Sequence, residues 1–212
     1  MTKKVKTSVK NTSLIEMRRE QMIKAAVALF TEKGFHRTTT REIAQASGFS
    51  IGTLYEYIRS KEDVLFLVCD DIYNKFKDRL EESFRQQGRG LEGLRRAILD
   101  CVKVMDEMQD EVLVMYQEAK SLSKDALPYV LNKEMEMVKL IERLLEHCAT
   151  EGQLLLSKED IRFYGHHILV QCQMWAFRRW GLRKTFTREA FADALADAVT
   201  TSLSTKVLSE KI

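Results

Sequence analysis

The chain has 212 residues, of which 45% are hydrophobic and 31% charged, with one proline and nine glycines. This composition is too apolar for a disordered chain and too poor in turn residues for a many-stranded β-sandwich. The net charge is +3, but residues 1–61 carry twelve Lys and Arg against five acidic residues, a charge of +7 that leaves −4 for the remainder. Positive charge concentrated at one end of a chain favours an anionic partner such as DNA.

Neither the apolar runs nor the cysteines indicate a membrane or secreted protein. No apolar run approaches the roughly 18 to 20 residues of a membrane span, and residues 1–10 are charged without an apolar segment behind them. The four cysteines lie 32, 47 and 24 residues apart with no CxxC pair, which favours buried free thiols. We therefore expect a soluble cytoplasmic protein that has no membrane partner.

Apolar periodicity and chain breakers divide the sequence into about nine helices. No stretch alternates with period two for long enough to indicate a strand, so the predicted fold class is all-α. The helices are predicted at 14–33, 39–47, 51–58, 61–87, 91–108, 110–121, 125–149, 158–182 and 187–208.

The second and third predicted helices have the features of a helix-turn-helix. Thr39 and Glu42 have the spacing of a capping box, and Gly48 stands where a helix end needs a left-handed residue. Ser50 is placed to cap the next helix. Ile43 and Leu54 are then placed to meet between the two helices.

A series of motifs follows in fixed order along residues 20 to 65: Gly34-Phe35, Thr38-Thr39-Thr40-Arg41-Glu42-Ile43-Ala44, Gly48, Gly52-Thr53-Leu54-Tyr55, Tyr57 and Ser60-Lys61-Glu62. This order resembles the tetracycline-repressor (TetR) family of bacterial transcriptional regulators. Ile58 stands where the family commonly has an aromatic residue, and Ile51 offers no polar group to a base edge.

The resemblance implies roles in DNA binding that agree with the physics of a helix-turn-helix. The second helix of that motif enters the major groove by its N-terminal part, and phosphates bind helix N-termini and hydroxyl groups. A cation at the start of a helix opposes the helix dipole, so Lys61 is predicted to meet a phosphate. Candidate base-reading residues are Ile51, Gly52, Thr53 and Glu56. Candidate phosphate contacts are Thr40, Tyr55, Tyr57 and Lys61, and Arg41 joins the predicted DNA-binding set.

The predicted organisation has three parts. Residues 1–13 form a flexible basic arm, 14–60 form the helix-turn-helix DNA-binding domain, and 61–212 form a helical effector-binding and dimerisation domain. Reading a palindromic operator requires two recognition helices, so a homodimer is expected. Members of the family dimerise through a four-helix bundle made from the last helices. The candidate dimer residues are Phe163, His167, Val170, Met174, Phe177, Ala194 and Ala198.

The middle helices are rich in methionine, a side chain that adapts to varied apolar guests. The resemblance implies that these helices enclose a small effector, and we expect an elongated apolar one such as a fatty acid or an acyl-CoA. Its binding would swing the long helix 61–87 and release the DNA. Candidate effector residues are Met105, Met108, Leu113, Met115, Tyr116, Glu118, Met135, His147, His166 and Gln173.

Other functional classes carry less support. No HExxH, GxSxG or Walker motif is present, so no catalytic residue, enzyme activity, metal or cofactor is predicted. A metal-responsive regulator using Cys148, His147 and His166 or His167 remains an alternative, although metal ligands are usually spaced more closely. A helical interaction protein that does not bind DNA is a further alternative.

Overall fold

The computed structural model describes residues 12–86, 90–119, 122, 124, 127–150 and 154–209. Within these ranges the chain forms ten helices and no strand, so the predicted all-α fold is confirmed. Of the predicted arm, residues 1–11 lie outside the described ranges, and α1 begins at Thr12. The helices are α1 (Thr12–Lys33), α2 (Thr40–Ala46), α3 (Ile51–Tyr57), α4 (Lys61–Gln86), α5 (Leu91–Glu107), α6 (Gln109–Glu118), α7 (Leu127–Thr150), α8 (Lys158–Phe177), α9 (Arg179–Leu182) and α10 (Arg188–Ser209).

The helix predicted over 158–182 is interrupted. The backbone leaves the helical region at Arg178, where φ is −113° and ψ is 22°, and the four-residue α9 follows. Just after this interruption, the Arg183 guanidinium group makes a tertiary contact by donating to the carboxylate of Asp106 at 2.8 Å. Apolar periodicity alone does not report such a contact.

The described helices pack into two compact units. One contains the described residues within Met1–Ile72 and Asp110–Lys133, and the other contains those within Tyr73–Gln109 and Glu134–Ile212. We call them the first unit and the second unit. The predicted functional domains 14–60 and 61–212 are defined by role rather than by packing, and they stay a prediction. Within the described part, no helix is both long enough and apolar enough to cross a bilayer.

Local hydrogen bonds define where α2 begins. Thr39 accepts a hydrogen bond from the backbone N–H of Glu42 at 3.3 Å, and the Glu42 carboxylate accepts one from the backbone N–H of Thr39 at 2.9 Å. This reciprocal pair is the predicted capping box, and it satisfies two backbone donors that a helix start otherwise leaves free.

The turn from α2 to α3 depends on Gly48. Its φ is +75°, a region that glycine adopts at little cost. The N–H of Phe49 donates to the carbonyl of Ala44 at 2.8 Å, and the N–H of Gly48 donates to that of Gln45 at 3.1 Å. These two bonds form a Schellman motif. Ser50 then caps α3 by accepting a hydrogen bond from the Thr53 N–H at 3.0 Å.

Apolar contacts hold the helices of the first unit together. α2 packs against both α1 and α3, and the side chains of Ile43 and Leu54 are fully buried, as predicted. The ring of Phe49 stacks on Tyr57 with the centroids 6.5 Å apart. Along α4, which has residues in both units, five apolar residues at steps of three and four are buried: Leu65, Val68, Ile72, Phe76 and Leu80.

In the second unit, α5 packs against both α8 and α10. Arg95 on α5 pairs with Asp193, at 2.7 Å, and with Asp197 on α10. Asp106, near the end of α5, accepts a hydrogen bond from the Trp175 indole N–H at 2.7 Å. Partial burial opposes ionisation of Asp106, but the hydrogen bonds from Trp175 and Arg183 outweigh it and lower the pKa of this carboxyl group.

Candidate nucleic-acid interface

Helix α3 has one face in the core and one face open to solvent. Leu54 and Tyr57 are buried, whereas Ile51, Gly52 and Glu56 are exposed. Because residues three apart share a helix face, the capped N-terminal turn of α3 and Glu56 are open to an external partner. The candidate base-reading residues therefore lie on one accessible surface.

Gly52 is not required by the packing of the protein itself. A Cβ atom at this position would meet the Ser50 hydroxyl oxygen at 3.7 Å, an ordinary van der Waals contact. Glycine inside a helix costs about 1 kcal/mol relative to alanine. The exposed helix thus carries a glycine that its own fold does not need.

Hydroxyl groups from α2 and α3 meet at the edge of this surface. The hydroxyl oxygens of Thr40 and Tyr55 are 3.1 Å apart, and the Tyr55 ring is 51% exposed. Thr40 is the first residue of α2, so its hydroxyl lies at the start of that helix. Arg41 beside it is exposed. The structure therefore brings together three of the predicted DNA-binding residues: Thr40, Arg41 and Tyr55.

The hydroxyl of Thr53 has a partner within the protein. Its oxygen lies 2.9 Å from that of Ser50, the residue that caps α3. Either hydroxyl can donate, so the pair leaves one proton free to point outward. The Thr53 side chain is half-buried and its position is set by the cap.

Tyr57 and Lys61 lie elsewhere than predicted. The Tyr57 side chain is only 3% exposed and packs on Phe49. The Lys61 ammonium group donates to the carbonyl oxygens of Phe35, His36 and Thr38 at 2.8, 3.1 and 3.2 Å. An ammonium group has three N–H bonds, so these contacts satisfy it without a phosphate.

One ion pair reduces the positive charge near α2. Lys33 hydrogen-bonds to the Glu42 carboxylate, and together with the hydrogen bonds from Thr39 it lowers the pKa of Glu42 from 4.5 to about 2. Glu42 is therefore ionised at neutral pH and remains in the capping box. Arg41 keeps its charge exposed next to the Thr40 hydroxyl.

The candidate effector residues are divided between the two units and between core and surface. Leu113, Met115, Tyr116 and Glu118 belong to the first unit, and the other six belong to the second. Met105, Met108 and Met115 are buried, Leu113 and Glu118 are half-buried, and Tyr116, Met135, His147 and His166 are exposed. The Glu118 carboxylate accepts a hydrogen bond from the Phe35 backbone N–H at 3.2 Å.

The partner of Gln173 is a half-buried acidic residue, Glu134, which was not among the predicted site residues. The Gln173 amide nitrogen lies 3.2 and 3.3 Å from the two carboxylate oxygens of Glu134. Burial raises the pKa of Glu134, and the hydrogen bond from Gln173 opposes this change. Glu134 occupies a position on the buried stripe of α7, four residues after Val130 and three before Met137. In the sequence, the carboxyl group of Glu134 on an otherwise apolar helix stripe could have identified this residue.

The predicted dimer residues on α8 and α10 are largely open to solvent. Phe163 is 62% exposed and Val170 is 50% exposed, Met174 and Phe177 are half-buried, and Ala194 and Ala198 are exposed. The Phe163 ring stacks on His167 at 5.6 Å. A shallow depression of about 400 Å³ lies over this part of α8, lined by Arg162, Phe163, His166, His167 and Val170. Both histidines therefore border the same exposed surface, although the sequence analysis assigned them different roles.

Comparison with known proteins decides the family. Residues 22–68 match the family model described as "Bacterial regulatory proteins, tetR family", and residues 87–203 match the one described as "Tetracyclin repressor-like, C-terminal domain". The chain belongs to the TetR family. It is a transcriptional regulator with an N-terminal helix-turn-helix and not an enzyme. A dimer that binds a palindromic operator is typical of TetR proteins.

Two curated relatives illustrate the similarity. The HTH-type transcriptional regulator HbdR of Aromatoleum sp. (strain CIB) is 27% identical over 189 residues, which cover 89% of this chain and 82% of that protein. The "Fatty acid metabolism regulator protein" of Bacillus subtilis (strain 168) is 26% identical over 132 residues, which cover 62% of this chain and 66% of that protein.

Solved structures share the TetR fold. A TetR-family regulatory protein from Rhodococcus RHA1 has a TM-score of 0.75 at 20% identity and covers 88% of this chain and 96% of its own. The structure of AibR in complex with isovaleryl coenzyme A and operator DNA has a TM-score of 0.69 at 19% identity, with 85% of this chain and 97% of that one covered. Among the described residues, no three His, Cys, Asp or Glu side chains cluster as metal ligands would.

Glu134 generates a prediction about stability and pH. Its pKa is raised in the folded state, so its contribution to stability is present below the unfolded pKa of about 4.5 and is lost as the pH rises through the folded pKa. Glu134→Gln removes this loss and keeps an amide that can pair with Gln173. In urea unfolding between pH 4 and pH 8, we expect the variant to lose less stability with rising pH than the wild type. Glu146→Gln, at an exposed position of α7, is the control, and a wild-type profile in Glu134→Gln would contradict the assignment.

Proposed function

We propose that this TetR protein is a ligand-responsive repressor that binds a palindromic operator as a dimer in the cytoplasm, with α3 of each subunit in the major groove. The observation that carries the proposal is the Thr40–Tyr55 hydroxyl pair beside the exposed N-terminal turn of α3. It puts phosphate-binding groups next to groups that can reach base edges.

The start of α3 is suited to close approach by DNA. Gly52 has no side chain, so the backbone of α3 can lie near the base pairs, which supplies a reason for a glycine that the fold does not need. Thr53 offers a hydroxyl and a methyl group, and its orientation is set by Ser50. Ile51 contributes apolar contact, and Glu56 adds an acceptor on the same face.

The phosphate contacts come from α2 and from the Tyr55 hydroxyl. The Thr40 and Tyr55 hydroxyls can donate to a phosphate oxygen, and Arg41 adds an exposed positive charge. The proposal leaves out Tyr57, whose ring is in the core, and Lys61, whose ammonium group is satisfied by carbonyls.

Three substitutions separate base reading from phosphate binding. With a duplex selected from random DNA by the wild-type protein, Tyr55→Phe loses one hydrogen bond and is expected to weaken binding about tenfold. Arg41→Ala weakens all sequences alike and reduces the slope of log affinity against log salt by about one. Thr53→Ala changes base preference, measured by repeating the selection.

The control for these variants is Asn74→Ala, an exposed position on α4. It should bind the selected duplex like the wild type. If Tyr55→Phe and Arg41→Ala also bind like the wild type, the proposed orientation of the helix-turn-helix on DNA is wrong.

The dimer surface is proposed from the exposed faces of α8 and α10. Phe163 and Val170 expose apolar area on α8, and the side chains of Ala194 and Ala198 are small enough for another helix to approach closely. Apolar patches of this kind on a folded protein usually mark an interaction surface. A symmetric pair of such faces would form the four-helix bundle typical of the family.

Val170→Asp puts a charge at the centre of this face. Burying an unpaired carboxylate is costly, so we expect the variant to be monomeric at concentrations where the wild type is a dimer, by sedimentation velocity. The matched control is Leu131→Asp on α7, since Leu131 is 53% exposed and Val170 is 50% exposed. A dimeric Val170→Asp protein would place the interface elsewhere.

The effector is proposed to be an acyl-CoA thioester or the corresponding fatty acid. Support comes from a relative named as a fatty acid metabolism regulator and from the complex of AibR with isovaleryl coenzyme A. The methionine-rich middle helices fit a flexible apolar chain. Because binding linkage is reciprocal, an effector that favours the wrong spacing of the two α3 helices weakens DNA binding by the factor by which DNA weakens effector binding.

Operator titrations with acyl-CoA compounds test the effector class. We expect at least one of isovaleryl-CoA, octanoyl-CoA and palmitoyl-CoA to lower operator affinity by about 5- to 150-fold, the range of ordinary allosteric coupling. Free coenzyme A tests whether the nucleotide alone lowers operator affinity, and octanoate tests whether the free acid acts without the thioester. Equal operator affinity with every compound would remove the acyl proposal and leave DNA binding unaffected.

A further inference from the structure

The turn between α1 and α2 sets where the DNA-facing end of α2 begins. Gly34 follows α1 with a φ of +83°, and the Phe35 side chain is only 1% exposed. The Thr38 hydroxyl donates to the Gly34 carbonyl at 2.9 Å, and the Thr38 N–H donates to the Phe35 carbonyl at 3.2 Å. Thr39 then caps α2, so the turn 34–38 positions the first residues of that helix.

Two charged residues in contact with this turn oppose the dipoles of their own helices. Lys61 is the first residue of α4, where the helix dipole disfavours a cation, and Glu118 is the last residue of α6, where it disfavours an anion. Each placement is unfavourable for the helix that carries it. A contact with another part of the fold is therefore expected to compensate each charge.

Both charges contact the backbone of Phe35. Its backbone N–H donates to the Glu118 carboxylate at 3.2 Å, and its carbonyl accepts from the Lys61 ammonium group at 2.8 Å. The ammonium group also lies over the Phe35 ring, 4.5 Å from the centroid. The peptide groups on both sides of Phe35 are thus held by charges from two other helices.

Helix α6 connects this contact to the C-terminal part of the chain. It lies within residues 87–203, which match the C-terminal family model, yet its residues from Asp110 to Glu118 belong to the first unit, as does the helix-turn-helix. Leu113, Met115 and Tyr116, three candidate effector residues, are on the same helix. A displacement of α6 would therefore act on the Phe35 N–H through Glu118.

We infer that Glu118 is a positioning residue for DNA binding: its hydrogen bond to Phe35, opposite Lys61, holds the turn 34–38 and thereby the Thr40–Tyr55 pair in the DNA-binding orientation. This role replaces the predicted contact of Glu118 with the effector, and it rests on the proposed function. Loss of the bond lowers DNA affinity because the turn 34–38 is no longer held at the Phe35 N–H, and relief of the unfavourable dipole of α6 offsets only part of the lost stability. Movement of α6 would have the same effect as removing the carboxylate.

Operator binding and thermal unfolding together test the role of Glu118, using the duplex selected by the wild type. Glu118→Ala is expected to lower affinity about tenfold, the loss of one hydrogen bond to a charged acceptor, while thermal unfolding shows that the variant is still folded at the temperature of the binding assay. Glu118→Gln keeps an acceptor and stays within about threefold of the wild type, because hydrogen bonds to neutral acceptors are weaker. Hydrogen exchange of the Phe35 amide should be faster in Glu118→Ala than in Glu118→Gln.

The matched control is Gln117→Ala, at the neighbouring exposed position of α6. It should bind DNA like the wild type. If Glu118→Ala does not fold, Glu118→Leu, which keeps a similar volume but has no acceptor, takes its place and should bind about tenfold more weakly.

Two results would overturn the inference while the proposed function stands. One is operator affinity in Glu118→Ala, or in Glu118→Leu, equal to that of the wild type. The other is an equal loss of affinity in Glu118→Gln and Glu118→Ala, since rescue by the amide is what a hydrogen bond predicts. If the wild type selects no duplex, the proposed function fails, and the inference fails with it.

Discussion

The left-handed backbone at Gly48 is the constraint on which the DNA-binding surface depends. It allows the two hydrogen bonds that end α2, from Gly48 to Gln45 and from Phe49 to Ala44, and it turns the chain so that Ser50 can cap α3 at once. Because α2 and α3 are only seven residues each, neither would be stable alone. The caps and the burial of Ile43 and Leu54 stabilise these short helices. The angle between the helices, and hence the 3.1 Å contact between the Thr40 and Tyr55 hydroxyls, follows from this turn.

Two charges that oppose the dipoles of their own helices, those of Lys61 and Glu118, have partners elsewhere in the fold. The cation at the start of α4 was predicted to meet a phosphate, but in the structure the Lys61 ammonium group donates to three backbone carbonyls. The same physical argument applied to the end of α6 points to Glu118, whose partner is the Phe35 N–H. Both residues hold the turn that precedes α2. Each helix accepts a small local cost, and the turn gains an ordered position.

Membership of the TetR family agrees with the division of chemistry along the chain. The positive charge is concentrated before residue 62. The Thr40 and Tyr55 hydroxyls and Gly52, which the packing does not require, are on α2 and α3, and the exposed apolar side chains of Phe163 and Val170 are on α8. DNA binding uses charge, hydrogen bonds and close backbone approach, whereas subunit association uses apolar area. Glu118 belongs to the C-terminal segment by sequence and to the first unit by packing.

The sequence by itself determined the features that depend on neighbours along the chain. The all-α fold, the caps at Thr39 and Ser50, the glycine turn and the α4 stripe follow from periodicity and from hydrogen bonds over two to five residues. Contacts between side chains that are distant in the sequence could be identified only in the folded structure. It put the Tyr57 ring in the core, gave the Lys61 ammonium group carbonyl partners, interrupted the helix at Arg178 and paired Gln173 with Glu134. The physical reason is that a residue's type and helix face give its chemistry, whereas its partner depends on how separate helices pack.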